Sequence, residues 1–201
     1  MMAHYFDPDQ SKAGEDLRTV EVVMEQKSYS FLTDSGVFSK KKIDFGSRLL
    51  IETVQVGTAK NVLDLGCGYG PIGVIIAATH PDVHVTMVDV NPRAVELAKQ
   101  NAIRNGVNDR TAIQLSEGYT AIPHHSFDLV LLNPPIRAGK SVVYRLFAET
   151  QQHLNPNGRL VIVIRKQQGA ASAQKELVRL YPQVEVLKQK KGYWVLQATM
   201  I

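Results

Sequence analysis

Residues 61–106 read NVLDLGCGYGPIGVIIAATHPDVHVTMVDVNPRAVELAKQNAIRNG, and this stretch decides the fold. NVLDL (61–65) is a short apolar run with the length of a buried strand. A glycine-rich turn follows it, and Pro71 suits the first position of a helix. HVTMVDV (84–90) reads as a second strand. Asn91 can cap the next helix, Pro92 takes its first position, and Gly106 closes it. Val95, Ala98, Ala102 and Ile103 supply that helix with an apolar face. Strand, helix, strand and helix in succession predict a parallel sheet covered by helices.

The same alternation continues toward the C-terminus. A third strand is expected near 111–115 and a fourth at FDLVLL (127–132), followed by NPPIRAGK (133–140) and a helix through about His153. LNPNG (154–158) reads as a turn into a fifth strand, RLVIVI (159–164), and a helix around 171–180 leads to VEVLKQ (184–189). KKG (190–192) joins that segment to YWVLQAT (193–199) by a connection too short for a parallel crossover, so the last two strands form a hairpin. The expected fold is α/β: a seven-stranded, mostly parallel sheet with an antiparallel last strand. That pattern departs from the all-parallel sheet of dinucleotide-binding Rossmann domains and matches the Rossmann-like variant of class I methyltransferases. Residues 1–55 differ in texture, with a hairpin expected at VEVVMEQKSYSFLT (20–33) and then GVFSKKKIDFGSRLLIE (36–52). They are expected to form an extension or lid packed on the same domain, with 56–201 as the methyltransferase domain.

With 201 residues, 44% of them hydrophobic, the chain can bury a core of its own and suits one domain. Its 23 Lys and Arg against 19 Asp and Glu give a net charge of +4, which permits an anionic partner. Cys67 is the single cysteine, so no internal disulfide forms; no Cys/His cluster has zinc spacing, and no metal is expected. The start, MMAHYFDPDQ, lacks a basic segment followed by an apolar one, and the longest apolar run, Ile72 to Ala78, is too short for a bilayer. A cytoplasmic protein without membrane contact is expected.

The turn Asp64-Leu-Gly66-Cys67-Gly68-Tyr-Gly70 lets backbone approach a ligand closely. Gly68-x-Gly70-x-x-Gly73 also satisfies the dinucleotide fingerprint, with Asp89 at the distance of a ribose-binding acid, so the loop alone does not choose a cofactor. Asp64 does. A carboxylate there suits the cationic amino group of S-adenosylmethionine better than a pyrophosphate. Asp89 can accept bonds from both ribose hydroxyls, beside Asn91, and Cys67 is a small spacer within the cofactor loop.

Asn133-Pro134-Pro135-Ile136 leaves the fourth strand at the same sheet edge as the glycine loop. An exocyclic base amine is a weak nucleophile because its lone pair is delocalised into the ring. The Asn133 side-chain oxygen and the Pro134 carbonyl can each accept an N–H bond and aim that lone pair at a methyl donor. The two prolines fix the shape of the loop.

On these motifs, residues about 29–200 resemble the catalytic domain of the RsmC-like ribosomal RNA guanine-N2 methyltransferases. The resemblance rests on GVFSKKKIDFGSRLL, DLGCGYGPIG, VDVNPRAVELAKQNAIRNG and NPPIRAGK; the GVFS...D.GS pattern is its narrower marker. It implies that Asp64, Gly66, Gly68 and Gly70 line the cofactor, Asp89 holds its ribose, Glu117 lies near the adenine and Asn133 takes the target amine. Two departures stand out. Ile136 replaces the aromatic residue that the family uses to stack a flipped base, leaving Phe38 or Trp194 as substitutes. Well-known members carry a second methyltransferase-like half before this domain, which a chain this short is expected to lack.

RNA, in a ribosomal particle or free, is the expected partner. Arg137 and Lys140, Arg165 and Lys166, and Lys188, Lys190 and Lys191 converge on the active edge by topology, and Lys40, Lys41 and Lys42 join them. The six histidines show no catalytic arrangement, and His124-His125 suits a solvent-exposed loop. Adenine N6 and a protein glutamine amide are alternative acceptors with the same chemistry. A nicotinamide-dependent oxidoreductase and a non-catalytic RNA-binding module are the readings from other classes.

Overall fold

The computed structural model describes residues 17–37 and 42–201. Two strands come first, β1 (Arg18–Met24) and β2 (Lys27–Thr33), then helix α1 (Phe45–Thr53). Strand β3 (Asn61–Leu65), α2 (Pro71–Thr79), β4 (His84–Asp89), α3 (Pro92–Arg104) and β5 (Thr111–Leu115) follow. The chain continues with β6 (Phe127–Leu132), α4 (Lys140–His153), β7 (Leu154–Arg165), α5 (Ala170–Leu180), β8 (Gln183–Lys190) and β9 (Tyr193–Thr199). The large sheet has the order β5-β4-β3-β6-β7-β9-β8. All neighbours from β5 to β7 pair parallel, while β9 pairs antiparallel with both β7 and β8. The antiparallel strand is therefore interior, wedged beside β7, and β8 forms the edge.

Burial follows this order. β6 is FDLVLL because both of its faces are covered: Leu129 and Leu131 enter one core with Val62, and Val130 and Leu132 enter the other with Leu63 and Leu65. These four β6 residues are fully buried, and each such side chain contributes about 1.5–3 kcal/mol, so the strand end that presents Asn133 is firmly held. The edge strands β5 and β8 are largely exposed, and β8 is correspondingly polar.

The turns obey local chemistry. Asn91 caps α3 by accepting from Arg93 N, and Asp44 caps α1 by accepting from Ser47 N. Lys191 and Gly192 both have positive φ, the requirement of a two-residue hairpin turn between β8 and β9. LNPNG differs from expectation. These residues lie inside β7, with Asn157 left-handed at φ 61 and the β6–β7 register shifting between Phe127 and Leu129, so the predicted turn is an irregularity within a longer strand.

The N-terminal hairpin docks on α3 through an unusual pairing. Asn101 exchanges two hydrogen bonds with the backbone of Leu32, at 2.6 and 2.9 Å, and Asn105 does the same with Ser30, at 3.1 and 2.9 Å. Four helical residues rise about 6 Å, close to the advance of two strand residues, so amides one turn apart meet alternate residues of β2 like a neighbouring strand. Polar Asn101 is fully buried on the face assigned to apolar contact, and Ile103 is 65% exposed. Ile103 sits off the docked face because the helix turns about 100° per residue, placing Ala98, Asn101 and Asn105 together instead.

Candidate active site

The glycine loop is shaped by two carboxylates. Asp64, at the end of β3, has no exposed surface; its Oδ2 accepts from Gly73 N at 2.8 Å, and its Oδ1 is buried with no partner. Burial raises its pKa to about 7, opposed by the Gly73 N–H and reinforced by Asp89. A buried carboxyl oxygen without a donor suits a cationic group brought to the loop. Asp89 accepts from Gly68 N at 2.8 Å through Oδ2 and from Asn91 N at 2.9 Å through Oδ1. Burial pushes its pKa up, against the lowering effect of these N–H groups. Each Asp89 oxygen retains acceptor capacity for a hydroxyl.

Gly66 and Gly68 have φ of 72° and 57°, and a Cβ on either would meet nothing within 4 Å. The loop is thus an open cradle whose backbone conformation excludes ordinary side chains. Gly70, at φ 90°, packs against Ala98, and Gly73 must be glycine because a Cβ would come within 2.4 Å of Met87 Sδ. Cys67 is buried, and burial raises its thiol pKa well above the ordinary value, which keeps it a thiol rather than a nucleophilic thiolate.

Across the same edge, Asn133 follows β6. Its Nδ2 donates to Ser47 Oγ at 3.0 Å and to Asp44 Oδ1 at 3.3 Å. Among the described residues no donor is placed on its Oδ1. Pro134 is buried and its carbonyl accepts from Ile136 N at 2.8 Å across Pro135, which fixes the carbonyl while leaving one lone pair. Ile136 is half-buried and packs against the core beneath α4 and α5.

The remaining predicted residues sort by position. Glu117 lies after β5, exposed, 3.9 Å from Arg145. Arg137, Lys140, Arg165, Lys166, Lys190 and Lys191 are exposed, and the pairing of Arg165 and Lys190 with Tyr193 brings the last two groups to one edge. Lys188 is exposed two pairs further along β8. Phe38, Lys40 and Lys41 lie outside the described residues. Trp194 packs on the α4/α5 side.

The sequence reading missed Asp44, Phe45, Ser47 and Tyr193. Phe45 and Tyr193 form a tilted pair 5.3 Å apart, with Arg165 5.1 Å above Tyr193 and Lys191 5.5 Å from Phe45. A Cβ on Gly46 would sit 3.0 Å from Asp44 Oδ1 and 3.1 Å from the Tyr193 ring, so this aromatic pair borders the Asn133 network. The D.GS spacing carried the signal for Asp44 and Ser47 as a cap, but nothing local pointed to Asn133 as their partner. His124 and His125 are exposed, with His124 stacked on buried His153, and among the described residues no cluster of three His, Cys, Asp or Glu side chains could hold a metal. No helix among them is long and apolar enough to cross a membrane.

Residues 28–197 match the family model of the methyltransferase small domain. The uncharacterized protein YbxB of Bacillus subtilis is 41% identical over 202 residues, covering all of both chains. The ribosomal RNA large subunit methyltransferase G of Photobacterium profundum is 33% identical over 171 residues, 82% of this chain and 45% of that protein. The T. thermophilus 16S rRNA N2 methyltransferase RsmC, solved with AdoMet and guanosine, superposes with a TM-score of 0.81 at 24% identity, over 92% of this chain and 51% of its own. The chain thus spans about half the length of the ribosomal RNA methyltransferases it matches.

Proposed function

The chain belongs to the methyltransferase small-domain family, and from that premise we propose that it transfers a methyl group from S-adenosylmethionine to an exocyclic base amine, guanine N2 of ribosomal RNA. The observation that carries this reading is the Asn133 amide: its nitrogen is tied back to α1, and its oxygen is left to receive an N–H. Such an acceptor matches an amine and is of no use to hydride transfer, so the GxGxxG coincidence at Gly68–Gly73 lends no support to an oxidoreductase.

The glycine loop fits the cofactor. Buried Asp64 Oδ1 lacks a cationic partner, Asp89 offers two oxygens to ribose hydroxyls, and Gly66 and Gly68 open the cradle. S-adenosylmethionine supplies an electrophilic methyl group on a sulfonium. On the acceptor side, Asn133 Oδ1 and the free lone pair of the Pro134 carbonyl each take one N–H of the amine, turning its lone pair out of conjugation and toward the cofactor. Transfer would break the methyl–sulfur bond, its electron pair staying on sulfur as the thioether S-adenosylhomocysteine, and the methylated nitrogen, then acidic, would lose its extra proton to water.

Support for RNA comes from the exposed basic groups on this edge and from the names of the relatives. Each phosphate contact would make affinity fall by about 0.7 log units per log unit of added salt on a single strand. Support for guanine N2 comes from the motif resemblance and from the name of the T. thermophilus neighbour. The test is transfer of labelled methyl from S-adenosylmethionine to purified ribosomal RNA, with nucleoside mass spectrometry of the product. N2-methylguanosine is the expected result. N6-methyladenosine, or label in a glutamine-containing protein substrate, would reassign the acceptor, and no transfer to any nucleobase would overturn the proposal.

A further inference from the structure

We infer that Asp44 and Ser47, the first residues of the α1 cap, are positioning residues that fix which end of the Asn133 amide faces the acceptor, and so restrict the site to nitrogens that donate N–H. The inference rests on the proposed amine methylation and adds to it the residues that set its specificity.

An asparagine amide is nearly symmetric in shape, and nothing in the Asn-Pro-Pro sequence decides whether its oxygen or its NH2 points outward. Here the surroundings decide. Nδ2 lies 3.0 Å from Ser47 Oγ and 3.3 Å from Asp44 Oδ1. Turning the amide over would set its oxygen against the Asp44 carboxylate, which has no proton to give, and would leave the NH2 without either partner. The anchors are themselves fixed: Asp44 Oδ1 also accepts from Ser47 N at 3.0 Å, and Ser47 is buried. Gly46 between them is confined by Asp44 on one side and Tyr193 on the other. Both amide hydrogens are consumed, and a bond from NH2 to a carboxylate strengthens the oxygen of the same amide as an acceptor. The outward atom therefore welcomes a primary amine or amide and repels a substrate oxygen or ring nitrogen that offers only a lone pair.

A reciprocal exchange tests this. Asn133→Asp alone places two carboxylates face to face and should lower kcat on ribosomal RNA about 100-fold, by misplacing the acceptor, with cofactor affinity little changed. In the Asp44→Asn/Asn133→Asp pair the NH2 of residue 44 takes the position of Asp44 Oδ1 and donates to residue 133, which again presents an oxygen outward, while the capping bond from Ser47 N is given up. The double variant should regain at least about tenfold of the lost kcat, since the restored bond joins an amide to a carboxylate. A double variant no faster than Asn133→Asp, or Asn133→Asp as fast as the parent, overturns the inference.

A second measurement does not need the substrate. The Asn133 side-chain amide resonances, identified in 15N-labelled protein by their loss in Asn133→Asp, should exchange with water more slowly than those of exposed asparagines. The Ser47→Ala variant should speed that exchange while the protein stays folded. Fast exchange in the parent protein overturns the positioning role even where RNA is methylated. Slow exchange with no methylation of RNA upholds the network and places the failure with the proposed substrate.

Discussion

The two halves of the active edge are held together by different kinds of contact. In the half proposed to hold the cofactor, Gly73 and Asp64 are 9 residues apart, Gly68 and Asp89 are 21, and Asn91 and Asp89 are 2. In the acceptor half, Asn133 is held by residues 86 and 89 positions away, on a helix that comes before the first strand of the sheet. One half is complete as soon as a strand–helix–strand unit closes. The other exists only when α1 has docked beside β7 and β9. The halves can be altered separately, which is how the comparison is best sharpened or broken.

The largest effect is expected at Asn133. Asn133→Ala removes the acceptor for the amine and should lower kcat by about two to three orders of magnitude, the usual weight of one oriented hydrogen bond in a closed site. S-adenosylmethionine affinity by calorimetry should stay near that of the parent protein; a parallel loss of cofactor binding would show that the halves are not separable. In the opposite direction, Gly73→Ala drives a Cβ within 2.4 Å of buried Met87 Sδ and 3.1 Å of Asp64 Oδ2. It should cost about 1–3 kcal/mol in urea unfolding and weaken cofactor binding, with the Asn133 network left as it is.

Asn101→Ala probes the link between the hairpin and the glycine loop, because Asn101 Nδ2 bonds both Leu32 O and Tyr69 O. Its loss strands buried backbone groups and should destabilise by about 1–3 kcal/mol. Raised hydrogen exchange at Ser30 and Leu32, and at the glycine loop, would register the break.

A pH dependence is carried by Asp64. Its folded pKa of about 7 lies above the ordinary value of 3.8, so the folded protein holds a proton that the unfolded chain releases. Its contribution to stability is full at low pH and declines as pH rises from about 4 to about 7. Asp64→Asn should flatten that part of the stability curve of the cofactor-free protein. If the carboxylate receives the cofactor's ammonium, S-adenosylmethionine binding should strengthen as pH rises through about 7, with release of a proton detectable by calorimetry in buffers of different ionisation enthalpy.

Much of the fold was legible because its information is local. The glycine turn after β3, Pro71, Asn91-Pro92 and the apolar run of β6 each point to one conformation on their own, and the short 190–192 connection forced a hairpin. Ile103 was misplaced because an apolar residue at the margin of a helical stripe reads the same whether it faces core or solvent, and the asparagines that occupy the docked face carry no apolar signal. LNPNG reads as a turn because its residues are turn residues; the continuing β6–β7 pairing around it is a property of two strands.

For the site, the sequence by itself determined that the glycine loop and Asn133 leave the sheet at one edge, since they follow strands that the alternating pattern marks. Only the tertiary structure decided which atom of Asn133 is tied back to α1, that Phe45 and Tyr193 border it, and that Arg165 and Lys191 flank those rings. The physical reason is the same in each case. A turn or a cap satisfies its hydrogen bonds within a few residues, so its sequence records its partners, whereas an amide held by groups 86 and 89 residues away acquires an orientation only when two distant segments are packed into contact.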